Sequence, residues 1–563
     1  MFKPKLFSIL KNSPEELKGK SLLNNIIAGI IVAIVALPLS IALAISSGVS
    51  PEQGLVTAIL AGFLISFLGG SRVQIGGPTA AFVVIICGII AQYGFMGLVI
   101  ATIMAGIILI IFGILKFGDV IKFIPYPITV GFTSGIAVTL FATQLKDFLE
   151  LDIDSVPSEF IPKIGSYIEN ISTINYTSLL IGLLAIAIIV CWNKISKRIP
   201  GPLVALVVTT LIVYFGDLDV MTIGKKFGQL SSEFPAPIFF GDDFQMPTFD
   251  MIMTLMPSAF TIAVLAGIES LLSAVVADGM TGDKHDSNTE LIAQGVANIA
   301  SAIFGGLPAT GAIARTAANI KNGGRTPIAG MVHALVLLVI MLVAMPLAQL
   351  IPMTTLAAIL IVVSFNMFDF GAFPQIAKTT KSDFSTLILT FVLTVVFDLV
   401  VAIEIGMVLA MFLFIRKMAN TLKINTVSKV NESDTYKYIN KEILVYEIAG
   451  PMFFGASTKF VDTMKTMNVK SDILILRMQN VPLIDGTLID SLQQILDYTR
   501  KHHIMILFAE LQPQPKKVIE KIGINDSIGN DRFFTTIDDA FAVANDIVNL
   551  KNELKGKHIK RAV

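Results

Sequence analysis

About fourteen apolar segments, each near the length of a membrane-spanning helix, lie between about residue 24 and about residue 418. Crossing a hydrocarbon layer of about 30 Å takes roughly 20 apolar residues in helical conformation. Helices are expected because lipid leaves the hydrogen-bonding groups of an open strand edge unsatisfied. Hydrophobic residues make up 54% of the chain and charged residues 15%, which is too apolar for an ordinary soluble protein. The sequence therefore predicts an α-helical polytopic membrane protein.

Charge is balanced overall, with 42 basic and 42 acidic residues, but its placement predicts an orientation. Basic residues precede the first predicted span and recur after even-numbered spans, and they include Lys3, Lys5, Lys11, Lys18, Lys20, Lys194, Lys197, Arg198, Lys321, Arg325, Lys378, Lys381, Arg416 and Lys417. Because short cytoplasmic loops are enriched in Lys and Arg, both termini are expected to be cytoplasmic. The polar N-terminal segment has no short apolar core with a cleavage site, so a cleaved signal peptide is not expected.

The chain changes character after about residue 420. Three short strand-like runs, EILVYEIAG, DILILRMQN and HIMILFAEL, alternate with segments of helical periodicity, which predicts a small cytoplasmic α/β domain. The predicted organisation is a cytoplasmic segment 1–23, a transmembrane domain 24–418, a linker 419–440, the α/β domain 441–551 and a basic tail 552–563.

Helix-breaking residues interrupt two of the apolar segments. QIGGPTAAF at 74–82 places Gly76, Gly77 and Pro78 at the start of the third predicted span, and FGGLPATGAIART at 304–316 does the same with Pro308 in the tenth. A separation of seven spans is expected of two inverted halves of seven spans each, in which half-helices point their N-termini at a substrate near the midplane. Free amides and the helix dipole there favour an anion. The alternative is that the glycines only allow close helix packing.

Ionisable residues within apolar segments are costly in lipid and indicate a cavity or a partner. Glu269 is interpreted as a group that carries a coupling proton, helps to hold a sodium ion, or pairs with Arg315. Arg315 is interpreted as a fixed positive charge for a bound anion, with a purely structural role as the alternative. Glu290 is expected to be a helix-start residue capped by Ser287 or Asn288. Among the other ionisable residues within apolar segments, His333 is expected to be a buried histidine with hydrogen-bond partners. Asp398 and Glu404 are expected to be polar groups at packing contacts or interfaces.

These motifs resemble those of the sulfate permease (SulP) family of anion transporters. The similarity covers essentially the whole membrane region and is carried by ALPLSIALAISSGVSPEQGL at 36–55, GPTAAF at 77–82, ESLLSA at 269–274, DGMTG at 278–282, the NTELIAQGVAN run at 288–298 and PATGAIART at 308–316. The segment ILILRMQNVPLIDGTLIDSL is similar to the signature of a STAS domain. A membrane domain followed by a STAS domain is specific to this family. The residues of the first-span and eighth-span motifs resemble those of its bacterial members.

The resemblance implies a core bundle of spans one to four and eight to eleven that moves like an elevator against a gate bundle of spans five to seven and twelve to fourteen. It implies a multi-pass protein of the inner membrane, bounded by lipid, that forms a homodimer, with a possible cytoplasmic partner for the STAS domain and no nucleic-acid partner. It also implies an anion site built from Gly77, Pro78, Thr79, Ala80, Thr310, Gly311, Ala312 and Arg315, with Glu269 as the coupling carboxylate.

Three departures from the family pattern bear on these expectations. Leu39 follows Pro38 where many members have Gln, so a polar contact from the first span has to come from Ser40. Ala314 precedes Arg315 where animal members often have Ser. Gly486 follows Asp485 where anti-sigma-factor antagonists have a phosphorylated Ser, although Thr487 is close by.

The function expected from the sequence is secondary active transport of sulfate or a similar small anion, coupled to protons. The alternatives are a symporter of a C4-dicarboxylate such as fumarate or succinate, a sodium-coupled bicarbonate symporter, an uncoupled anion channel or exchanger, and a membrane-anchored regulator. An enzyme is not expected, because no nucleophile with a base, metal-ligand spacing or phosphate loop is present in the sequence. No cofactor is expected beyond the transported anion and a coupling H⁺ or Na⁺.

Overall fold

The structure is a computed structural model that describes residues 2–119, 125–153, 156–157, 159–195, 200–238, 248–397, 399–426, 442–465 and 471–561. The chain divides into two compact units, residues 1–408 and 409–563. The helices that begin in the first unit are α1 (Lys5–Asn12), α2 (Gly19–Ser46), α3 (Pro51–Leu68), α4 (Val83–Ile114), α5 (Tyr126–Leu149), α6 (Phe160–Glu169), α7 (Tyr176–Ile195), α8 (Gly201–Phe215), α9 (Ile223–Phe227), α10 (Phe249–Thr281), α11 (Ser287–Ile303), α12 (Ile313–Lys321), α13 (Ile328–Ala348), α14 (Met353–Met367), α15 (Ala372–Ala377), α16 (Lys381–Val396) and α17 (Leu399–Thr421).

A helical segment lies at each of the predicted span positions. Among the described residues, seven helical segments are long and apolar enough to cross a membrane, namely those of α2, α3, α4, α5, α10, α13 and α14. Helix α4 is interrupted at Gly94 (φ 68°, ψ −177°), so its two parts are the predicted third and fourth spans. The other predicted spans are the helices α7, α8, α11, α12, α16 and α17.

Hydrogen bonds tie together connections that the span count places on the same side of the membrane. The connection after the second span is joined to α1 and to the connection after the eighth, since the amide of Lys5 donates to the Gly69 carbonyl and the amide of Asp286 to the Gly70 carbonyl. At the other end, the amide of Ile223 donates to the Ile351 carbonyl and joins the connections after the seventh and eleventh spans. We call the end with the connections after even-numbered spans the even-loop end, and the end with the connections after odd-numbered spans the odd-loop end. Connections after even-numbered spans thus meet at one end and those after odd-numbered spans at the other, as required if successive spans cross the membrane in opposite directions.

The spans of the first unit pack as two bundles. Helix α4 packs on α10 and α11, and α13 packs on α2 and α3. In the second set, α5 packs on α14 and α16, and α7 packs on α8 and α14. The first set holds spans one to four and eight to eleven and is the core bundle. The second holds spans five to seven, twelve and thirteen and is the gate bundle, and Gly406 of the fourteenth span lies against Thr390 of the thirteenth. Equivalent spans of the two halves therefore share a bundle, as expected of a seven-plus-seven repeat.

Two strands of two residues each lie inside the core bundle. Strand β1 (Gly76–Gly77) precedes α4, and β2 (Thr310–Gly311) precedes α12. They pair antiparallel, with Gly76 opposite Gly311 and Gly77 opposite Thr310. The breaks in the two apolar segments are thus one structural feature.

The second unit is an α/β domain. Its strands are β3 (Lys423–Thr426), β4 (Ile443–Ala449), β5 (Ile473–Asn480), β6 (Met505–Ala509) and β7 (Phe533–Phe534), and its further helices are α18 (Phe454–Lys465), α19 (Gly486–Lys501), α20 (Pro513–Ile522), α21 (Ile524–Ile528) and α22 (Ile537–Arg561). The sheet has the order β3-β4-β5-β6-β7; β3 pairs antiparallel with β4, and the other pairs are parallel. Apolar clusters lie on both faces of the sheet, because β4, β5 and β6 alternate their side chains between them.

The three predicted strands of this domain are confirmed as β4, β5 and β6. Strand β3 lies within the segment predicted as a linker, whose residues 427–440 lie outside the described part of the chain. The segment predicted as a basic tail continues α22 as far as Arg561. Asp485 caps α19, since its carboxylate accepts hydrogen bonds from the amides of Thr487 and Leu488, and Thr487 is exposed.

Candidate functional site

The chain is extended where the two interrupted spans meet. The amide of Ala312 donates to the Ile75 carbonyl at 2.8 Å and continues the β1–β2 pairing by one residue. A 3-10 turn, Ala80–Phe82, follows β1 and leads directly into α4, and α12 begins at Ile313 after β2. Pro78 therefore lies two residues before its helix, whereas the sequence predicted it within the first turn. The later start of the helix has a physical cause. Gly76 and Gly77 pair with β2 in extended conformation, so the helix begins only after the strand has ended.

Both helices start with free backbone donors. No described residue accepts a hydrogen bond from the amides of Ala80, Ala81, Ile313 or Ala314. Thr79 is partly exposed, and the side chains of Ile313 and Ala314 are exposed although they lie in the core bundle. The first amides of a helix carry a partial positive charge, so two starts held side by side form a concave surface suited to a negative solute.

Arg315 lies in the first turn of α12 and is 3% exposed. One nitrogen, Nη2, donates to the Pro78 carbonyl at 3.1 Å and lies 3.5 Å from Ser40 Oγ. The other, Nη1, has no hydrogen-bond partner among the described residues. No described carboxylate lies within ion-pair distance of this guanidinium. A buried cation without an anionic partner is costly, and it is the strongest single indication of an anion site in the chain.

Glu269 lies on α10 and contacts the site from the eighth span. The hydroxyl of Thr79 donates to its Oε2 at 2.8 Å. It forms no ion pair with Arg315 in this structure, so the pairing that the sequence left open is not formed. The carboxylate is instead connected, through one hydroxyl, to a residue at the start of α4.

Thr310 is turned away from the site surface. Its hydroxyl donates to the Ala266 carbonyl at 2.9 Å, lies 2.7 Å from Ser270 Oγ, and is fully buried. The Gly311 amide donates to the same Ser270 hydroxyl at 2.9 Å. Helix α10 therefore holds β2 in place through Thr310 and Gly311.

The structure brings all the predicted site residues into one region. Those around the two helix starts are Gly77, Pro78, Thr79, Ala80, Gly311, Ala312 and Arg315, with Ser40 from the first span, Glu269 from the eighth, and Thr310 behind them. All of them belong to the core bundle.

Sequence reasoning missed the polar network beneath the strands. Glu290 is fully buried, and its Oε2 accepts hydrogen bonds from the amides of Gly70 at 2.8 Å and Ser71 at 3.1 Å. Its Oε1 accepts from the side-chain amides of Gln74 at 3.0 Å and Gln294 at 2.9 Å. Gln74 also donates to the Ser270 carbonyl at 3.0 Å. The network positions the residues just before β1.

Two further expectations need correction. Glu290 is in the first turn of α11 as predicted, but the cap is Asp286, whose carboxylate accepts the Thr289 amide at 2.9 Å. His333 is fully buried, and neither of its ring nitrogens has a hydrogen-bond partner among the described residues, so it is not the satisfied histidine that was expected. Asp398 and the side chain of Glu404 lie outside the described residues.

Comparisons with known proteins agree with this architecture. A family model described as "Sulfate permease family" matches residues 22–390, and a model described as "STAS domain" matches residues 436–540. "Putative sulfate transporter YvdB" of Bacillus subtilis (strain 168) is 40% identical over 519 residues, covering 91% of this chain and 95% of the relative. "Bicarbonate transporter BicA" of Picosynechococcus sp. is 30% identical over 547 residues, covering 92% and 94%.

Two solved structures share the fold. "The overall structure of SLC26A9" matches with a TM-score of 0.85 at 19% identity, covering 98% of this chain and 94% of that one. "The transmembrane domain of a cyanobacterium bicarbonate transporter BicA" matches with a TM-score of 0.61 at 32% identity, covering 70% and 98%. The first of these likenesses concerns the fold alone.

Proposed function

The chain belongs to the sulfate permease family of anion transporters, and from that premise we propose that it is a proton-coupled symporter of sulfate or a similar small oxyanion. The observation that carries the proposal is the buried guanidinium of Arg315, one nitrogen of which has no partner, beside two helix starts with free amides. Fixed donors of this kind replace the hydration of an oxyanion without a rearrangement of the protein.

Sulfate is the first candidate because the relative at 40% identity carries a sulfate name. The relative at 30% identity carries a bicarbonate name, and this observation favours sodium-coupled bicarbonate transport as the second candidate. Both anions present oxygen acceptors at spacings that a guanidinium and backbone amides can contact. Transport of C4-dicarboxylates and uncoupled anion movement are further alternatives, which the competition panel described below also tests.

Glu269 supports the coupling part of the proposal. Carboxylates within transmembrane bundles often belong to proton relays. Glu269 accepts a hydrogen bond from Thr79, the residue just before the helical turn that leads into α4. A change in its protonation therefore alters the orientation of a group next to the bound anion, which is the physical link that symport requires.

The packing of the spans supports an elevator-like movement. All the proposed anion-binding residues and Glu269 are carried by the core bundle, and none is carried by the gate bundle. A rigid movement of the core bundle would therefore carry the intact site across the membrane. We further propose an inner-membrane location with a cytoplasmic second unit, a homodimer, and a cytoplasmic partner for the STAS domain.

A competition panel on reconstituted protein tests the proposal. Uptake of labelled sulfate into liposomes is measured against unlabelled bicarbonate, chloride, fumarate and succinate, with and without a pH gradient or a sodium gradient. We expect sulfate uptake that is driven by an inward proton gradient and is indifferent to sodium.

The other outcomes separate the alternatives. Bicarbonate uptake that follows sodium would replace the first candidate by the second, and downhill flux indifferent to both gradients would indicate a channel or exchanger. Absence of flux for every anion would reject transport and leave the regulator interpretation.

A further inference from the structure

Helix α6, in the connection after the fifth span, carries a buried cation at the odd-loop end. Lys163 is 9% exposed, although the helix itself is short and lies outside the spans. Helix α6 packs on α5 and α16 of the gate bundle. A lysine in a surface connection normally extends its ammonium into water, so the burial of this one needs a reason.

The surroundings of Lys163 contain no described carboxylate within ion-pair distance. Its charge lies within electrostatic range of the Cys87 thiol on α4. Tyr167, one turn further along α6, is 4% exposed and lies within range of Cys87 and Asp147. Asp147 is engaged by Lys226 at 3.1 Å. Burial lowers the pKa of the Lys163 ammonium, and the interaction with Cys87 offsets this effect only in part.

Cys87 marks a seam between the two bundles. Its thiol donates to the Ser46 carbonyl at 3.3 Å, and the Ser46 hydroxyl donates to Gln144 Oε1 at 3.1 Å. These bonds join α4 and α2 of the core bundle to α5 of the gate bundle. In this structure these bonds close the seam at the odd-loop end, and the Lys163 charge interacts with the Cys87 thiol of the seam.

The seam is close to the candidate anion site. Cys87 is four residues beyond Val83, the first residue of α4, which corresponds to about 6 Å along a helix axis. Cys87, with which the Lys163 charge interacts, thus belongs to the helix that follows one of the two helix starts of the site. A positive group at the mouth of such a cleft raises the local concentration of anions and their rate of entry.

We infer that Lys163 is an entry site for the transported oxyanion, which its ammonium binds when the core and gate bundles separate at the odd-loop end, before the anion reaches Arg315. The inference rests on the proposed transport function. It assigns to the gate bundle a binding residue that the family motifs in the core bundle do not include.

A charge-replacement experiment tests it, because the chain has only two cysteines, Cys87 and Cys191. In a background with Cys87→Ala and Cys191→Ser, Lys163→Cys is reconstituted, and uptake is measured with labelled sulfate or with the panel anion that the wild type carries fastest. We expect the apparent KM to rise roughly tenfold, the lower range of electrostatic steering. The Cys-substituted background with Lys163 present is the reference.

Three thiol reagents then separate charge from packing. Aminoethyl methanethiosulfonate, which restores a positive charge, is expected to return KM toward the reference value; the neutral methyl reagent is expected to leave it raised, and the anionic sulfonatoethyl reagent to raise it further. In intact cells, modification is expected from the outer face, where the predicted orientation places the odd-loop end. An identical effect of all three reagents, or modification from the inner face alone, would overturn the inference.

Lys225 is the matched control. It lies on α9 at the same end, is exposed, and pairs with Asp219 at 3.0 Å. The same series on Lys225→Cys is expected to leave KM unchanged, and an equal effect at both lysines would show a general surface field rather than a site.

A second pair of variants avoids the cysteine background. Lys163→Arg is expected to keep KM, whereas Lys163→Gln is expected to raise it, with both purified as monodisperse protein. An unchanged KM for Lys163→Gln in an active transporter would overturn this inference alone. A wild type that moves no panel anion would overturn the proposed function and the inference with it.

Discussion

In the proposed anion site, Arg315 is the residue that supplies a fixed positive charge. Its guanidinium is buried, donates to a carbonyl rather than to a carboxylate, and keeps Nη1 without a described partner. Removing water from an ion without supplying a counter-ion costs several kcal/mol, and replacing such a group by an apolar residue is often neutral for folding. Arg315 is therefore better explained by a ligand than by stability.

Replacement of Arg315 tests this explanation. We expect Arg315→Ala to raise the KM for the transported anion roughly 30-fold, corresponding to a loss of about 2 kcal/mol of binding free energy, with no loss of thermal stability. The KM of Arg315→Lys should lie between those of the wild type and Arg315→Ala, because an ammonium keeps the charge but lacks the planar arrangement of donors of a guanidinium. Uptake by Arg315→Ala with the wild-type KM would assign the residue to the scaffold.

Replacement of Glu269 tests the coupling. In Glu269→Gln an amide oxygen can still accept from Thr79, but the side chain no longer titrates. We expect proton-driven accumulation in liposomes to be lost while anion exchange at equal pH continues. Glu269→Asp should restore part of the accumulation. If Glu269→Gln still follows the pH gradient, the coupling group lies elsewhere.

At this scale the sequence singled out Arg315 and Glu269, which the structure places at the two helix starts, but it missed the residues that support them. Arg315 and Glu269 were found because ionisable groups in apolar segments are rare. The network of Glu290 was not found, since its partners Gly70 and Gln74 lie more than 200 positions away in the chain. The missing partners of His333 could not be anticipated either, because satisfaction depends on the residues that surround it in three dimensions.

Among the elements, the short strand pair is the feature that makes the site possible. It keeps the starts of α4 and α12 side by side and prevents either helix from continuing backward through the bundle. A Cβ at Gly311 would overlap the side-chain amide of Gln74. That amide cannot move freely, because it donates to Glu290 and to the Ser270 carbonyl.

Gly311→Ala is therefore expected to disturb the strand pair. Overpacking of this kind costs about 1–3 kcal/mol, so we expect a lower melting temperature of the purified protein and a large loss of uptake. Gly88→Ala is the matched control, because a Cβ at Gly88 in α4 meets no atom within 4 Å. Equal behaviour of the two variants would mean that the close approach at Gly311 is not important.

The sequence predicted that both spans are broken but not how they are joined. Glycine and proline identify the breaks from local backbone properties alone. The register of β1 with β2 depends on residues in different halves of the chain, and it moved the start of each helix to Ala80 and Ile313. Local patterns do not contain this information.

At the scale of the whole molecule, the two units were predicted from the change in composition near residue 420. The edge strand β3 was not predicted, because four residues beside a span give little periodicity. Leu422, just before β3, is fully buried in an apolar cluster of the second unit. The domain therefore begins earlier in the chain than its hydrophobic pattern indicates.

The position of Leu422 gives a prediction for fragments of the second unit. A soluble fragment that begins at Thr421 is expected to be more stable than one that begins at Glu442, by about 2 kcal/mol, from the burial of one leucine side chain. Urea unfolding followed by circular dichroism measures the difference. Coincident unfolding curves would show that β3 and Leu422 add nothing to this domain.

The proposed transport depends on an anion held between two broken helices. The most direct measurement is a high-resolution cryo-EM map of the protein with the best-transported panel anion at saturating concentration. We expect anion density within hydrogen-bond distance of Arg315 and of the backbone amides at Ala80 and Ile313. Density for the anion outside the core bundle, or continuous helix through Pro78 and Pro308, would contradict it.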